Sequence, residues 1–319
     1  MNVAFLFARR RTASGDSLLI IPLFNTMEKM PINQRFHRPP SRVNRGCVHI
    51  LSSIIAFLLI YGPPPVRAAG GSIPDCLLKL SSGYAVLIDK KDQKLYVFQR
   101  KSDGLEKVFE APCSTGKVRG AKMVEGDSKT PNGIFFATRF EAVSDPASTY
   151  GSMVFYLDYP NLLDRRAGKN GDNIWIHGTN KPLQPHQSNG CVVMRNQDIE
   201  NLSRYIYLGK TPVVIDESLH WVSQKERRPE GEELERLARR WAKTMSEGDG
   251  KANNSLYLPE GLEPLPHRKA LLQRATQMKT AKWHFDISPR DMTICKVGVT
   301  AAVLLDQVVS VKGPDQVQS

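Results

Sequence analysis

Apolar residues between positions 84 and 216 recur in short runs, alternate with polar residues and are separated by Gly, Pro, Asp and Asn. A period of two is typical of half-buried β-strands. Two runs, Tyr84–Asp89 and residues 94–99, flank a turn at Asp92-Gln93 and therefore predict a hairpin. Further strands are predicted at residues 108–111, 133–139, 154–157, 174–176 and 211–215.

One segment of this region has a helical period instead. Residues 196–208 place Ile199, Leu202 and Ile206 on one side, which predicts a short amphipathic helix before the last strand. Many short strands with Gly, Pro and Asp between them favour a sandwich. We therefore predict a mainly β fold, with one β-sandwich-like domain over residues 84–216.

A second unit is predicted at residues 229–319, where helical patterns precede strand patterns. Residues 231–246 carry an apolar stripe on an amphipathic helix, acidic in its first turn and basic further on, as the helix dipole favours. A second helix is predicted at residues 267–279, and strands follow at 282–287 and 300–311. Helices followed by strands indicate a small α+β domain.

The segment before residue 70 has the order of a secretory signal peptide. Basic residues between positions 35 and 45 precede an apolar run at 48–61, and small residues follow at 68–71. This apolar run is shorter than the roughly 20 residues that a membrane-spanning helix needs. The pattern predicts export to the periplasm or cell envelope, with cleavage near Ala68 or Ala69. An uncleaved anchor is the alternative.

Residues 1–69 are therefore set apart as an N-terminal extension and signal peptide. The segment 1–26 is unusual before such a signal, and translation from Met27 or Met30 would give a more ordinary start.

Charge and composition narrow the function classes. The chain is 41% hydrophobic and 24% charged, near the averages of soluble globular proteins. Of the net charge of +12, residues 1–69 carry +7 (nine basic, two acidic), which leaves +5 for the remainder. That remainder shows no zinc knuckle and no basic-aromatic motif, so nucleic acid is not expected as a partner.

Four cysteines lie after the signal region: Cys76, Cys113, Cys191 and Cys295. Four in about 250 residues do not make a disulfide scaffold. One disulfide among Cys76, Cys113 and Cys295 is compatible with export, but the sequence does not select the pair.

The candidate chemistry lies in residues 174–202. A predicted strand delivers His177 onto a polar loop, and Cys191 follows at the end of that loop, after Ser188-Asn189-Gly190. A free thiol with a pKa near 8.5 is mostly unreactive at neutral pH, and a nearby imidazole can take its proton and hold the thiolate as an ion pair. We therefore predict Cys191 as nucleophile and His177 as general base and acid.

Two backbone features would complete this site. The imidazole needs orientation through its second nitrogen, and since no acid is suitably placed, the carbonyl of Gly178 is the candidate. The Gly190-Cys191 corner can direct N–H groups at an oxyanion, because glycine permits dihedrals that other residues avoid. No third ligand accompanies His177 and Cys191 at a suitable spacing, so a metal site is not expected.

Three motifs resemble those of the L,D-transpeptidase catalytic domain of the YkuD type, in the same order. That family has a His, a spacer and then Ser/Thr-x-Gly-Cys, which match His177 and residues 188–191. The runs STGK at 114–117 and EGDSKTPNGIF at 125–135 resemble its other signatures. The resemblance covers residues 84–216, and residues 229–319 resemble the NTF2-like domain sometimes appended to such enzymes.

The resemblance implies acyl transfer on peptidoglycan stem peptides in cell wall biogenesis. Cys191 would attack the carbonyl between an L-centre and a D-centre, forming a thioester, and an amine or water would resolve it. The resemblance implies no metal or other cofactor for this reaction. Stem peptides, and wall-anchored proteins as acceptors, are the implied partners, with cell shape as the implied process. Peptide release by a cysteine amidohydrolase, or non-catalytic wall binding, are the alternatives.

The chain departs from the family pattern at two places. Many members have His where Asn189 stands, and Arg where Val193 stands, whereas this chain has Arg195 two positions later. The subgroup without the second His includes wall-remodelling hydrolases, which leaves the acceptor open. Gly190, Ser188, Asn189 and Arg195 are the expected oxyanion or substrate-binding residues.

Several other residues are weaker candidates, and each has a plain structural explanation. His186 is a loop residue that would contact substrate only if the loop lines the cleft. Lys117 and Lys122 could meet substrate carboxylates, although most lysines face solvent. Residues 130–133 form a turn that could line the cleft.

Overall fold

The computed structural model describes residues 2–12, 15–23, 71–145, 147–226, 228–257 and 266–313. The proposed signal peptide, including its cleavage sites, lies outside these residues. None of the helices within them is both long and apolar enough to cross a membrane.

Strands and helices alternate irregularly along the chain, with most strands in its first two thirds. In order, the elements are β1 (Asn2–Thr12), β2 (Gly15–Leu23), β3 (Ser72–Pro74), β4 (Leu77–Leu80), β5 (Tyr84–Asp89), β6 (Lys94–Lys101), β7 (Gly104–Pro112), β8 (Gly133–Ala142), β9 (Met153–Leu157), α1 (Leu162–Arg166), β10 (Trp175–His177), β11 (Val192–Val193), α2 (Asn196–Leu202), β12 (Pro212–Asp216), β13 (Trp221–Ser223), α3 (Pro229–Ser246), α4 (Gly250–Asn254), α5 (Pro266–Thr280), β14 (His284–Val297) and β15 (Thr300–Lys312).

Residues 84–216 are built on one eight-stranded sheet, in the order β11-β10-β9-β8-β12-β5-β6-β7. The hairpin around Asp92-Gln93 forms as the alternation predicts, with Tyr84 opposite Gln99 and Asp89 opposite Lys94. The sheet curls, and its strand content confirms the mainly β prediction. Its central strands β5 and β12 are buried along most of their length, as expected where both faces of a sheet are covered.

One face of this sheet holds the first core cluster. Apolar side chains from β5, β8, β10 and β12 pack there with Ile199 and Leu202 of α2. The helix ends at Leu202, six residues before the predicted end. The chain turns there so that Tyr205 reaches back to Tyr84 and Phe109, and these aromatic contacts replace a further helical turn.

A second sheet has the order β2-β1-β15-β14-β4. Helix α3 lays its predicted apolar stripe against this sheet, with Trp241 fully buried and its indole N–H donating to the Tyr257 hydroxyl at 2.7 Å. The C-terminal α+β portion that the sequence predicts is therefore present. Its sheet also takes strands from outside residues 229–319, because β4 pairs with β14 and the N-terminal strand β1 pairs with β15.

The two sheets share a third core cluster. The other face of the large sheet contributes Leu87, Ile134 and Val214, and the small sheet contributes Leu77 and Cys295. This cluster joins residues 84–216 to the C-terminal portion through buried apolar contacts.

All four cysteines in the described residues are free. Cys113 lies in the first cluster, whereas Cys76 and Cys295 lie together in the third, where the Lys296 N–H donates to the Cys76 carbonyl at 2.8 Å. Burial raises the pKa of the Cys76 and Cys295 thiols, so both are unreactive at neutral pH. The disulfide that the sequence would allow is not formed.

Candidate active site

Cys191 and His177 are brought together by two short parallel strands. β10 ends on His177, and Cys191 directly precedes β11, with Ile176 paired to Val192 and His177 to Val193. Ile176 and Val192 point into the first core cluster. Since side chains alternate along a strand, Cys191 and His177 emerge on the opposite face of the sheet. The residue order therefore places nucleophile and base on one surface, although a long loop separates them in the sequence.

The His177 ring is oriented by its own neighbour in the chain. Its Nδ1 lies 2.6 Å from the Gly178 carbonyl oxygen, so Nδ1 carries the proton and Nε2 is left as the basic nitrogen. Burial lowers the pKa of His177, and the Gly178 contact raises it by less. A neutral imidazole with a free Nε2 is the form that a general base requires.

Asn196 packs closely against Gly178, the residue that orients His177, and the sequence analysis placed Asn196 only at the start of a helix. Its Oδ1 accepts the Ser152 N–H at 3.0 Å and its Nδ2 donates to Asn180 at 2.7 Å. A Cβ on Gly178 would lie 2.3 Å from that Oδ1, so glycine is needed for this approach. The N-cap position of α2 is occupied by Arg195, and its side chain makes no capping hydrogen bond.

The Cys191 thiol lies in a half-buried position beside β10. Its Sγ contacts the Asn173 carbonyl oxygen at 3.4 Å. Burial raises the thiol pKa, while a backbone hydrogen bond from Trp175 and the positive charge of Lys122 lower it by less. Within the described residues no hydrogen bond joins Cys191 to His177. Both pKa shifts favour a neutral thiol beside a neutral imidazole in the resting protein over the ion pair that the sequence suggested. Catalytic contacts often tighten only when substrate binds.

The corner before the nucleophile is held by a serine hydroxyl. Gly190 has a φ of 136°, and a Cβ there would meet the Lys129 carbonyl oxygen at 3.0 Å. Ser188 Oγ accepts the Gly190 N–H at 3.1 Å and donates to the Cys191 carbonyl at 2.6 Å. Ser188 is thus buried in the turn and not available to substrate.

A buried glutamine ties the loop before the nucleophile to the rest of the domain. Gln93, predicted only as a turn residue, accepts the N–H groups of Thr115 and His186, both at 2.9 Å. Its Nε2 donates to the Lys90 carbonyl at 2.6 Å and to Thr115 Oγ1 at 2.7 Å. His186 is fixed through its backbone at this point, five residues before Cys191.

The remaining residues near the site differ in their exposure and in their contacts. Asn189 is exposed, and its Oδ1 accepts from Lys117 Nζ at 3.0 Å. Arg195 is exposed and directly precedes α2. The exposed Tyr150 lies beside His177, with its ring edge-on to His177 at 5.1 Å and to Trp175 at 5.0 Å between centroids.

The EGDSKTP motif contacts the corner before Cys191 through Thr130, and its Asp127 forms a buried ion pair with Lys122. Lys122 is 3% exposed and donates to Asp127 Oδ1 at 2.8 Å. The other carboxylate oxygen of Asp127 accepts the N–H groups of Met123 at 2.9 Å and Val124 at 3.2 Å. Burial alone would raise the pKa of Asp127, but Lys122 and the backbone donors outweigh it and lower that pKa to about 2.

Replacing Asp127 with asparagine is expected to destabilise the protein by about 3 kcal/mol, because the Lys122 ammonium loses its buried partner. The melting temperature should fall by about 6–12 °C. Since the folded pKa is lowered, this stabilisation is present above the unfolded value of about 3.9 and is lost as the pH falls through about 2. Thermal melts at pH 7 test the expectation, with the exposed Asp145→Asn as control. Equal melting of both variants would contradict it.

A metal-ligand cluster would need three or more His, Cys, Asp or Glu side chains close together. Among the described residues no such cluster occurs.

Comparison with known proteins identifies the family. A family model of the L,D-transpeptidase catalytic domain, YkuD, matches residues 83–215. The solved structure of Bd1075 from Bdellovibrio bacteriovorus is 30% identical and has a TM-score of 0.62, over 76% of this chain and 88% of that chain. No curated protein matches the sequence significantly.

A second similar structure is the helical cell shape determining protein Pgp2 from Campylobacter jejuni. It is 22% identical, with a TM-score of 0.51, over 76% of this chain and 88% of that chain. Both similarities span far more than residues 83–215, so the shared fold includes C-terminal residues as well. The matched domain contains His177 and Cys191, and the chain belongs to the YkuD family of L,D-transpeptidase catalytic domains.

Proposed function

We propose that this protein is an exported cysteine acyltransferase of the L,D-transpeptidase type, acting on peptidoglycan stem peptides in the periplasm or cell envelope. One observation carries the proposal: His177 is held by the Gly178 carbonyl through Nδ1, on the same sheet face as Cys191. This arrangement suits a thiol nucleophile that is deprotonated by a neutral imidazole during attack.

Acylation begins when the Cys191 sulfur adds to the carbonyl carbon between an L-centre and a D-centre, as its proton moves to His177 Nε2. The tetrahedral oxyanion is stabilised by backbone N–H at the Gly190-Cys191 corner. When the C–N bond breaks, the leaving amine takes the proton from Nε2. D-Ala departs from a tetrapeptide, and a thioester to Cys191 remains.

Deacylation repeats the steps of addition, proton transfer and bond cleavage with a second nucleophile. An incoming amine gives up its proton to Nε2 and attacks the thioester carbonyl, and the thiolate leaves and is reprotonated. The new amide is a crosslink between stem peptides or a bond to a wall-anchored protein. Gly178 keeps the same imidazole tautomer throughout, because Nδ1 stays occupied.

Water as the acceptor is the second candidate. Two observations favour it. Asn189 stands where many family members have a second His, and this chain shares its fold with a protein described as determining helical cell shape. Trimming stem peptides removes crosslink donors from the wall, which would alter cell shape.

Mass spectrometry of muropeptides separates these candidates. We expect the purified protein, incubated with disaccharide tetrapeptides, to release D-Ala and to give either a crosslinked dimer or a shortened tripeptide. A dimer supports the transpeptidase, and a tripeptide that persists when acceptor amine is in excess supports the hydrolase. An intact thiol with no product would indicate a non-catalytic wall-binding module and would overturn the proposal.

A further inference from the structure

We propose that Thr130 is a positioning residue that sets the direction of the Cys191 N–H toward the oxyanion. The inference rests on the proposed acyl-transfer function and adds a residue to it. Thr130 lies in the EGDSKTP motif, far before the nucleophile in the sequence, and its side chain is fully buried at 0% exposure.

The Thr130 hydroxyl makes two bonds, each in a fixed direction. Its oxygen accepts the Gly116 N–H at 2.9 Å, and its proton is donated to the Gly190 carbonyl at 2.8 Å. Because the lone-pair side of the hydroxyl is engaged by Gly116, the proton is directed toward Gly190. A single side chain thus connects the STGK loop, the EGDSKTP loop and the corner before the nucleophile.

The Gly190 carbonyl and the Cys191 N–H belong to the same planar peptide group. In a trans peptide these two bonds point in opposite directions, so fixing the carbonyl also fixes the N–H. Thr130 holds the carbonyl on the buried side, and the Cys191 N–H is therefore turned away from Thr130.

This control is needed because of the residue that stands at the corner. Gly190 adopts a φ of 136° and has no side chain to restrict its rotation, so its peptide could turn over readily. The Gly190 N–H is already engaged by Ser188 Oγ, which leaves the Cys191 N–H as the corner's oxyanion donor. Ser188 binds the Gly190 N–H from within the turn, and Thr130 binds the Gly190 carbonyl from a loop that is distant in the sequence.

The test separates a reaction that forms an oxyanion from one that does not. A p-nitrophenyl ester acylates a thiol through a tetrahedral oxyanion, whereas iodoacetamide alkylates it by direct displacement. We expect Thr130→Val to slow acylation of Cys191 by about tenfold to a hundredfold, somewhat less than outright loss of an oxyanion donor. Alkylation should stay within about twofold of the wild type, and Thr130→Ser, which keeps the hydroxyl, should restore acylation.

Thr211→Val is the matched control. Thr211 is also buried, and its hydroxyl accepts the Tyr207 N–H and donates to the Tyr205 carbonyl, both at 3.0 Å, away from Cys191. This variant should acylate like the wild type. If Thr130→Val melts abnormally, Thr130→Ala offers a second removal of the hydroxyl, again read as the ratio of acylation to alkylation.

Two results would overturn the proposal. Acylation at the wild-type rate in the Val and Ala variants would show that the hydroxyl does not control the N–H. A parallel loss of acylation and alkylation would show that Thr130 acts on the thiol or on folding. Neither reagent depends on cell wall recognition, so failure to process stem peptides would contradict the proposed function without touching this inference.

Discussion

Replacing Cys191 with serine or alanine is expected to lower acyl transfer by at least about 10⁴-fold, as removal of a nucleophile does in comparable enzymes. Alanine has no nucleophile. Serine keeps the geometry, but its hydroxyl is far less acidic than a thiol, so a neutral His177 would not deprotonate it readily. Burial already raises the pKa of the native thiol, so even the cysteine is harder to deprotonate here than in water. Release of D-Ala from a tetrapeptide is the measurement.

The buried cysteines provide the controls for this substitution. Cys295 is fully buried in the third cluster, and Cys295→Ala removes a thiol without burying an unpaired hydroxyl. It should retain activity, with at most a modest loss of stability. A carbapenem, which acylates many enzymes of this type, should add one equivalent of mass at Cys191 in the Cys295 variant. Labelling at another cysteine, or turnover by Cys191→Ala, would refute the assignment.

Loss of His177 is expected to reduce acyl transfer by about 10²–10⁴-fold, the usual contribution of a general base. Without the imidazole, Cys191 must lose its proton to solvent, so iodoacetamide should react slowly at pH 7. The rate should recover as the pH approaches and passes about 9, because the thiol pKa is raised above its ordinary value of about 8.5. Acyl transfer should not recover fully, since the leaving amine still has no acid.

The pH profile offers a further check on His177. Since burial lowers its pKa, the wild type should lose activity only below the ordinary imidazole value of about 6.5. That acid limb should be absent in His177→Gln, which also fills the buried site better than alanine and should melt closer to the wild type. Normal alkylation at pH 7 in a folded variant would point to another base. His186, the histidine that lies between His177 and Cys191 in the sequence, would be examined next.

The sequence predicted those features that depend on local pattern. Alternation identified the hairpin of β5 and β6, and the apolar stripe identified α3 almost to its ends. The sequence missed α1 because it is a helix of little more than one turn, stabilised by a capping box at Asn161 in place of an apolar period. It missed β4 because that strand pairs with β14, which lies near the opposite end of the chain.

The same distinction applies to the site. His177, Gly178 and Cys191 were predicted because a strand, a loop and a Gly-Cys corner are adjacent in the chain. Gln93, Asn196 and Thr130 act instead through close contacts to partners that are distant in the sequence, as with Asn196 and Gly178 or Gln93 and His186. No local pattern encodes such contacts. The protonation of the pair also depends on burial, which lowers the pKa of His177 and raises that of Cys191, and residue types alone do not reveal burial.

The buried cluster shared by the two sheets limits where this protein can be truncated. Leu87, Ile134 and Val214 would face water if the polypeptide ended near residue 226. The region that the family model matches is therefore not expected to fold stably without the C-terminal portion. We expect the two portions to unfold together in one cooperative transition. Because these buried contacts join the two sheets, the C-terminal portion is held at a fixed distance from Cys191.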